Sequence, residues 1–154
     1  MRRKEREIKD AVIVHQILSQ SSVCRLAIHD EPYPYIVPLN YGYKENALYF
    51  HCALAGRKLE LIKQNNKVGF EIEFDSEVIK GAESCQWTTH YRSVIGTGEI
   101  ELITDTDGKS HGLDVIMQQH GKKDNTYEPK VLEKALVLKL KIVSFTAKQA
   151  GDWT

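Results

Sequence analysis

The sequence has few cysteines, and their arrangement excludes two classes of site. The three cysteines, Cys24, Cys52 and Cys85, lie far apart and form no Cys-x-x-Cys pair. An odd, scattered set predicts neither a disulfide framework nor a zinc knuckle. The six histidines also lack the His-x-x-x-His spacing typical of a zinc site. We therefore expect no metal centre and a reducing, cytoplasmic location.

The chain also lacks net charge and long apolar runs. It has 21 basic and 21 acidic side chains, so no overall field attracts nucleic acid or a membrane surface. No apolar run approaches the ~20 residues that cross a bilayer, and the charged N-terminus is unlike a signal peptide. With 154 residues, 42% of them hydrophobic, we expect one globular domain over 1–154.

Strand patterns dominate what is present. Asp10 is suited to cap a helix that extends to Gln20, because apolar residues recur there at helical spacing. The spacing then changes to two, and we predict strands over 23–29, 35–43, 48–52, 67–74, 91–103 and 135–145. Two shorter helices are predicted over 56–65 and 109–120. Five or six strands in hairpin order predict an antiparallel sheet closed into a small barrel, since closure removes exposed edges.

The stretch from His51 to Lys58 carries a chemical signal. A strand ends, a loop of small residues follows, and a helix opens at Gly56 with Arg57 and Lys58 in its first turn. Cations are unfavourable at a helix start, where the macrodipole attracts anions. A bound phosphate would explain them. On these residues alone, an anion site and two solvent-facing cations are equally good interpretations.

Two further stretches offer ligand contacts. Arg92 and Ser93, at the polar start of a strand, could bind a phosphate. Gly96 and Gly98 lie on one face of that strand and fit either a barrel-corner kink or the close approach of a flat ring. Pro38 removes a ladder donor, which predicts an edge strand or a bulge whose free backbone groups could bind a planar heterocycle. A plain edge strand is the alternative interpretation there.

Taken together, these motifs resemble the pyridoxamine-phosphate-oxidase-related flavoproteins. They are Tyr-Ile-Val-Pro-Leu-Asn-Tyr-Gly-Tyr (35–43), Leu-Tyr-Phe-His-Cys-Ala-x-x-Gly-Arg-Lys (48–58) and Cys-x-Trp-Thr-Thr-x-Tyr-Arg-Ser-Val-x-Gly-x-Gly (85–98). The nearest branch is the 5-nitroimidazole antibiotic resistance, or nitroimidazole reductase, branch. The N-terminal Arg-Arg-x-x-Arg-x-Ile (2–8) also matches it. The resemblance extends from about residue 2 to residue 146 and rests on the three motifs in this order and spacing.

The resemblance implies a fold and a set of contacts. The fold is mainly β, of the α+β class: an antiparallel split β-barrel with short peripheral helices. The resemblance implies that this fold binds FMN at the interface of a homodimer. Backbone groups for the flavin ring would come from Val37, Pro38, Leu39, Asn40 and Tyr41. The phosphate and ribityl chain would be held by His51, Lys58, Arg92 and Ser93, with Cys52, Ala53, Arg57 and Tyr91 as further cofactor contacts.

The resemblance also implies an activity. An FMN-dependent oxidoreductase would reduce small nitroaromatic compounds of the 5-nitroimidazole type, or related electrophiles such as quinones, with a reduced nicotinamide as a possible electron donor. His51 is the first catalytic candidate. One alternative is a non-catalytic flavin- or haem-binding protein for sensing or storage, holding FAD or haem, with an axial ligand from His51, His90 or His120. Oxidation of pyridoxamine phosphate itself is the third alternative.

Overall fold

One antiparallel sheet of seven strands forms the centre of the protein, for which a computed structural model describes residues 3–151 and 153. The strand order across the sheet is β2-β1-β5-β6-β7-β4-β3. The elements in chain order are α1 (Ala11–Gln20), β1 (Val23–Ile28), β2 (Tyr35–Asn40), β3 (Gly42–Lys44), β4 (Ala47–Ala53), α2 (Arg57–Gln64), β5 (Lys67–Ile79), β6 (Thr88–Ile103), α3 (Thr106–Gln119), α4 (Pro129–Lys134) and β7 (Ala135–Ala150). Of the N-terminal motif over 2–8, the first arginine lies outside the described residues.

The sheet curls into a barrel because its two outermost strands are neighbours in the chain. β2 and β3 lie at opposite ends of the strand order, yet only Tyr41 separates them. Two Cα–Cα steps of ~3.8 Å keep the ends of these strands close together. The prediction of one strand over 35–43 is therefore wrong. The segment divides at Tyr41 because β2 pairs with β1, whereas β3 pairs with β4.

Alternate strand residues fill the barrel, as their period of two predicts. The largest fully buried side chains include Leu26, Ile28, Leu48, Phe50, Ile72, Leu138 and Leu140. Helix α1 packs on this core through Ile17 and Leu18, and Asp10 caps it by accepting a hydrogen bond from Val12 N at 2.8 Å. Tyr41 is also fully buried, and its hydroxyl donates to the Leu18 carbonyl oxygen at 2.7 Å.

The positions of the helices agree in part with those predicted from the sequence. Helices α1 and α2 lie where they were predicted. Helix α3 begins at Thr106, three residues before the predicted start, because Asp105 caps it by accepting from Gly108 N at 2.8 Å. Helix α4 was not predicted. No helix in the described part of the chain has the length and apolar character needed to cross a membrane.

The two glycines of β6 serve the packing of the barrel. A Cβ at Gly96 would lie 2.5 Å from the Ser144 carbonyl oxygen and 2.6 Å from the Phe70 ring. A Cβ at Gly98 would overlap the Lys141 carbonyl oxygen, and the β6–β7 register shifts between Thr97 and Gly98. Of the two interpretations of this pair, the structure supports the barrel kink, because the space in front of each glycine is already filled by the protein.

Candidate functional site

The first turn of α2 opens onto a cleft, which we call the α2 cleft. Gly56 precedes the helix with a φ of 129°, a conformation that favours glycine, and no described side chain caps the helix. Helices α1 and α3, in contrast, begin at the capping carboxylates of Asp10 and Asp105. Helix α2 therefore presents uncapped N–H groups at the positive end of its dipole. The cleft has a volume of about 270 Å³ and is lined by Tyr35, Cys52, Ala53, Ala55, Gly56, Arg57, Lys58 and Leu59.

The two cations of this turn have different surroundings. Arg57 forms an ion pair with Asp30: its Nε lies 3.2 Å from Oδ2, and its Nη2 contacts the same oxygen. The hydrogen bond from Arg57 lowers the pKa of the Asp30 carboxyl and raises the pKa of the guanidinium. Lys58 is half-buried and has no carboxylate partner among the described residues. Arg57 thus fastens the loop after β1 to α2, while the charge of Lys58 is not neutralised by a described carboxylate.

His51 and Cys52 lie on opposite faces of β4, as adjacent strand residues must. His51 is exposed and lines a second cleft of about 400 Å³, the α4 cleft, together with Cys52, Ala53, Lys130, Val131, Lys134 and Ala135. Cys52 and Ala53 line both clefts, so the clefts adjoin at the end of β4. Burial raises the pKa of the Cys52 thiol, and the charge of Lys58 opposes this shift.

Lys130 and Lys134 of the α4 cleft were missed by the sequence analysis. They lie on a short helix whose one buried residue is Leu132, so the segment has no apolar periodicity to reveal it. Pro129 in the first turn was the available signal. The consequence is that His51 shares its cleft with two lysines.

Strand β2 is an outermost strand of the sheet, which confirms the prediction from Pro38. Val37 and Leu39 pack against the barrel core, whereas Pro38 and Asn40 are exposed. Tyr41 has 0% of its surface exposed, so neither its backbone nor its ring is open to a ligand in this structure. The accessible part of the predicted ring-binding stretch is therefore 37–40.

The third predicted group lies far from His51 within one chain. His51 pairs with Val137 of β7, whereas Arg92 pairs with Gln149, twelve residues further along the same strand. That spacing corresponds to ~40 Å of strand. Tyr91 and Arg92 are half-buried and Ser93 is buried. The fold thus brings Lys58, Cys52 and Ala53 together, but it does not bring the Tyr91–Ser93 stretch to them.

The comparisons with known proteins agree with this architecture. The family model for pyridoxamine 5'-phosphate oxidase matches residues 10–149. The chain belongs to this family. Both the family and the split β-barrel fold predicted from the motifs are thereby confirmed. An uncharacterized protein of Rhizobium meliloti (strain 1021) is 31% identical over 114 residues, which are 73% of this chain and 68% of the relative.

Two solved structures are similar to this protein over most of the chain. One is a candidate 5-nitroimidazole antibiotic resistance protein from Bacteroides thetaiotaomicron, with a TM-score of 0.83, 29% identity, and coverage of 93% of this chain and 86% of its own. The other is the FAD and haem binding protein from Mycobacterium smegmatis, with a TM-score of 0.84, 19% identity, and coverage of 96% and 75%. At that lower identity, the second likeness concerns the fold alone.

Proposed function

We propose that this protein is an FMN-dependent oxidoreductase that reduces small nitroaromatic compounds or related electrophiles. The observation that carries the proposal is the start of α2, which no described side chain caps and which opens onto a cleft beside Lys58, a lysine that pairs with no described carboxylate. Backbone N–H groups at a helix start and an adjacent ammonium group are suited to a phosphate dianion. Membership of the family makes flavin mononucleotide the phosphate ester of choice.

The residues present fit FMN by their chemistry. Lys58 and the amides of α2 would hold the phosphate, and Cys52 and Ala53 would border the ribityl chain. The free edge of β2, over 37–40, would offer backbone groups to the ring. Bound FMN would supply the electron transfer. The protein's part is to bind the phosphate, orient the ring and exclude water from one side of it.

A homodimer would complete this site. The α2 cleft, at about 270 Å³, is smaller than the roughly 300–1,000 Å³ of pockets that enclose a drug-sized ligand. Tyr91, Arg92 and Ser93 lie at the other end of the barrel, so a second subunit is needed to bring such residues to Lys58. A twofold dimer has two equivalent sites, so a residue that reaches the site of the opposite subunit does so in both. We therefore assign Arg92 and Ser93 to the site of the opposite subunit.

His51 is our catalytic candidate. Its exposed imidazole lines the α4 cleft, which adjoins the α2 cleft at Cys52 and Ala53. Imidazole exchanges protons near neutral pH and so can act as a general acid. In the proposed reaction a reduced nicotinamide gives up a hydride, and the acceptor gains two electrons and two protons in total: a quinone becomes a hydroquinone, and a nitro group becomes a nitroso group and releases water. His51 would donate one of these protons.

The absorption spectrum of the purified protein tests cofactor binding directly. We expect flavin bands at about one FMN per subunit, and a dimer by light scattering. Protein that remains colourless after incubation with FMN would contradict the proposal. A Soret band after haem titration that is lost in His51→Ala would favour the haem-binding alternative.

Turnover assays then separate the candidate reactions. Oxidation of a reduced nicotinamide that depends on a 5-nitroimidazole or a quinone supports the proposed activity. Formation of pyridoxal phosphate from pyridoxamine phosphate would assign the family's named reaction instead. If FMN binds but neither assay shows turnover, the protein is a flavin carrier or sensor.

A further inference from the structure

Gly151, the residue after β7, lies against β6. This residue has a φ of 93°, and a Cβ there would overlap the His90 ring, so the turn requires glycine. Beyond the turn, the Trp153 indole Nε1 donates to the Ala150 carbonyl oxygen at 3.1 Å. The positions of Gly151 and of the indole are therefore both set by contacts with the strands β6 and β7.

The indole of Trp153 packs against two residues of β6. Its ring centroid lies 4.0 Å from that of His90, and the guanidinium carbon of Arg92 lies 4.0 Å from the Trp153 ring. A guanidinium at this distance over an indole is attracted by the negative face of the ring. The contact fixes the plane of the Arg92 side chain, which would otherwise rotate freely at the end of a long stem.

The other contacts of Arg92 do not use all the N–H donors of its guanidinium. Its Nε donates to Gln149 Oε1 at 3.2 Å, and no described carboxylate pairs with it. Arg25 and Arg57, in contrast, form ion pairs with Glu71 and Asp30. Arg92 is thus oriented by an aromatic ring and a neutral amide without being neutralised. That combination suits a guanidinium that must bind an anion through its terminal nitrogens.

The position of the indole also carries a cost. The Nε2 atom of His90, whose ring packs against the indole, is buried and has no hydrogen-bond partner among the described residues. A buried polar atom without a partner opposes folding. The contact with Arg92 and the hydrogen bond to Ala150 are the favourable contacts that oppose this cost.

We propose that Trp153 is a positioning residue for Arg92: the indole holds the guanidinium so that its terminal nitrogens are directed at the anionic group of the flavin. This inference rests on the proposed function, in which Arg92 serves the phosphate. It requires no contact between the indole and the flavin ring. It predicts that loss of the indole weakens the binding of FMN but not the binding of riboflavin, which has the same ring and no phosphate.

The test is a titration of the flavin-free protein with FMN and with riboflavin, followed by flavin fluorescence. We expect Trp153→Ala to weaken FMN binding about tenfold, as loss of a partly desolvated cation–π contact predicts. Riboflavin binding should stay within about twofold of wild type. Trp153→Phe should restore much of the FMN affinity, because a phenyl ring still offers its face to Arg92. In an Arg92→Ala background, Trp153→Ala should add little further loss.

Trp87→Ala is the matched control. Trp87 also has a cation over its ring, Lys80 Nζ at 5.9 Å, and its Nε1 also donates to a backbone carbonyl, that of Gly81, at 3.0 Å. This substitution should leave both affinities unchanged. Equal losses for FMN and riboflavin in Trp153→Ala, or no loss for either, would overturn the inference while the proposed function stands. A wild-type protein that binds neither flavin would overturn both.

Discussion

The guanidinium of Arg57 is bonded to the carboxylate of Asp30, and this pair joins the first turn of α2 to the loop that follows β1. Because of this ion pair, the two cations at the helix start have different roles. Arg57 holds the helix in place, and Lys58 is left to face the α2 cleft. A loop residue far from the motif thus decides which of two adjacent cations is available to a ligand.

The Asp30–Arg57 pair should make stability depend on pH. Its hydrogen bond lowers the pKa of Asp30 from an ordinary value of 3.8, so the pair stabilises the fold above about pH 4. This contribution is lost as the pH falls through the lowered pKa. We expect wild type to melt at a higher temperature than Asp30→Asn at pH 6, with the difference shrinking as the pH falls below 3.8. A difference in melting temperature that stays constant across this range would contradict the assignment.

Lys58 should contribute to cofactor affinity through its charge. Removing one charge-assisted contact to a phosphate weakens binding by about 1–3 kcal/mol, so Lys58→Ala should raise the Kd for FMN by about fivefold to 150-fold. Lys63→Ala, which removes an exposed lysine from the last turn of the same helix, is the control and should leave the Kd unchanged. Equal affinities in the two variants would mean that Lys58 is a surface residue without a role in binding.

Tyr41 should matter for stability and not for the flavin. Its hydroxyl donates to the Leu18 carbonyl oxygen, which also accepts from Gln119 Nε2 at 3.0 Å. Because that carbonyl keeps a partner, Tyr41→Phe should lower the free energy of unfolding by only about 1 kcal/mol. Urea unfolding measures this loss, and an FMN titration of the same variant should match wild type. A weakened flavin affinity at unchanged stability would return Tyr41 to the site.

Gly96 and Gly69 form a matched pair for testing barrel packing. A Cβ at Gly96 would press on the Ser144 carbonyl and the Phe70 ring, so Gly96→Ala should destabilise the protein by roughly 1–3 kcal/mol. Gly69 lies on the neighbouring strand, and its nearest contact to an added Cβ is Ala27 Cβ at 3.7 Å. Gly69→Ala should therefore be neutral or stabilise by up to about 1 kcal/mol. Similar denaturation midpoints for the two variants would contradict this account of the kink in β6.

The barrel could be predicted from the sequence to the extent that burial imposes a local period. Val68, Phe70 and Ile72 alternate with polar residues, and β5 is found where they lie. The break at Tyr41 could not be predicted, because the alternation continues across it and the two halves differ only in their distant pairing partners. Helix α4 was hidden because one buried leucine leaves no repeating pattern.

The candidate site shows the same division between local and distant information. Lys58 stands out in the sequence because a cation at a helix start has the wrong sign for the dipole. The partner of Arg57 is 27 residues earlier in the chain, in a loop with no motif of its own. The place of Trp153 depends on a left-handed turn at Gly151 and on the pairing of β6 with β7, neither of which has a sequence signature beyond a single glycine.

Because a single residue joins β2 to β3, the two strands that close the barrel have little freedom to move relative to each other. Gly42, just past the joint, lies so close to α3 that a Cβ would be 2.5 Å from the Val115 carbonyl oxygen. A shift of β2 along β1 would therefore displace β3 and push it against α3. The circumference of the barrel is therefore fixed at this point, and a ligand bound along the exposed edge of β2 would contact a rigid part of the sheet.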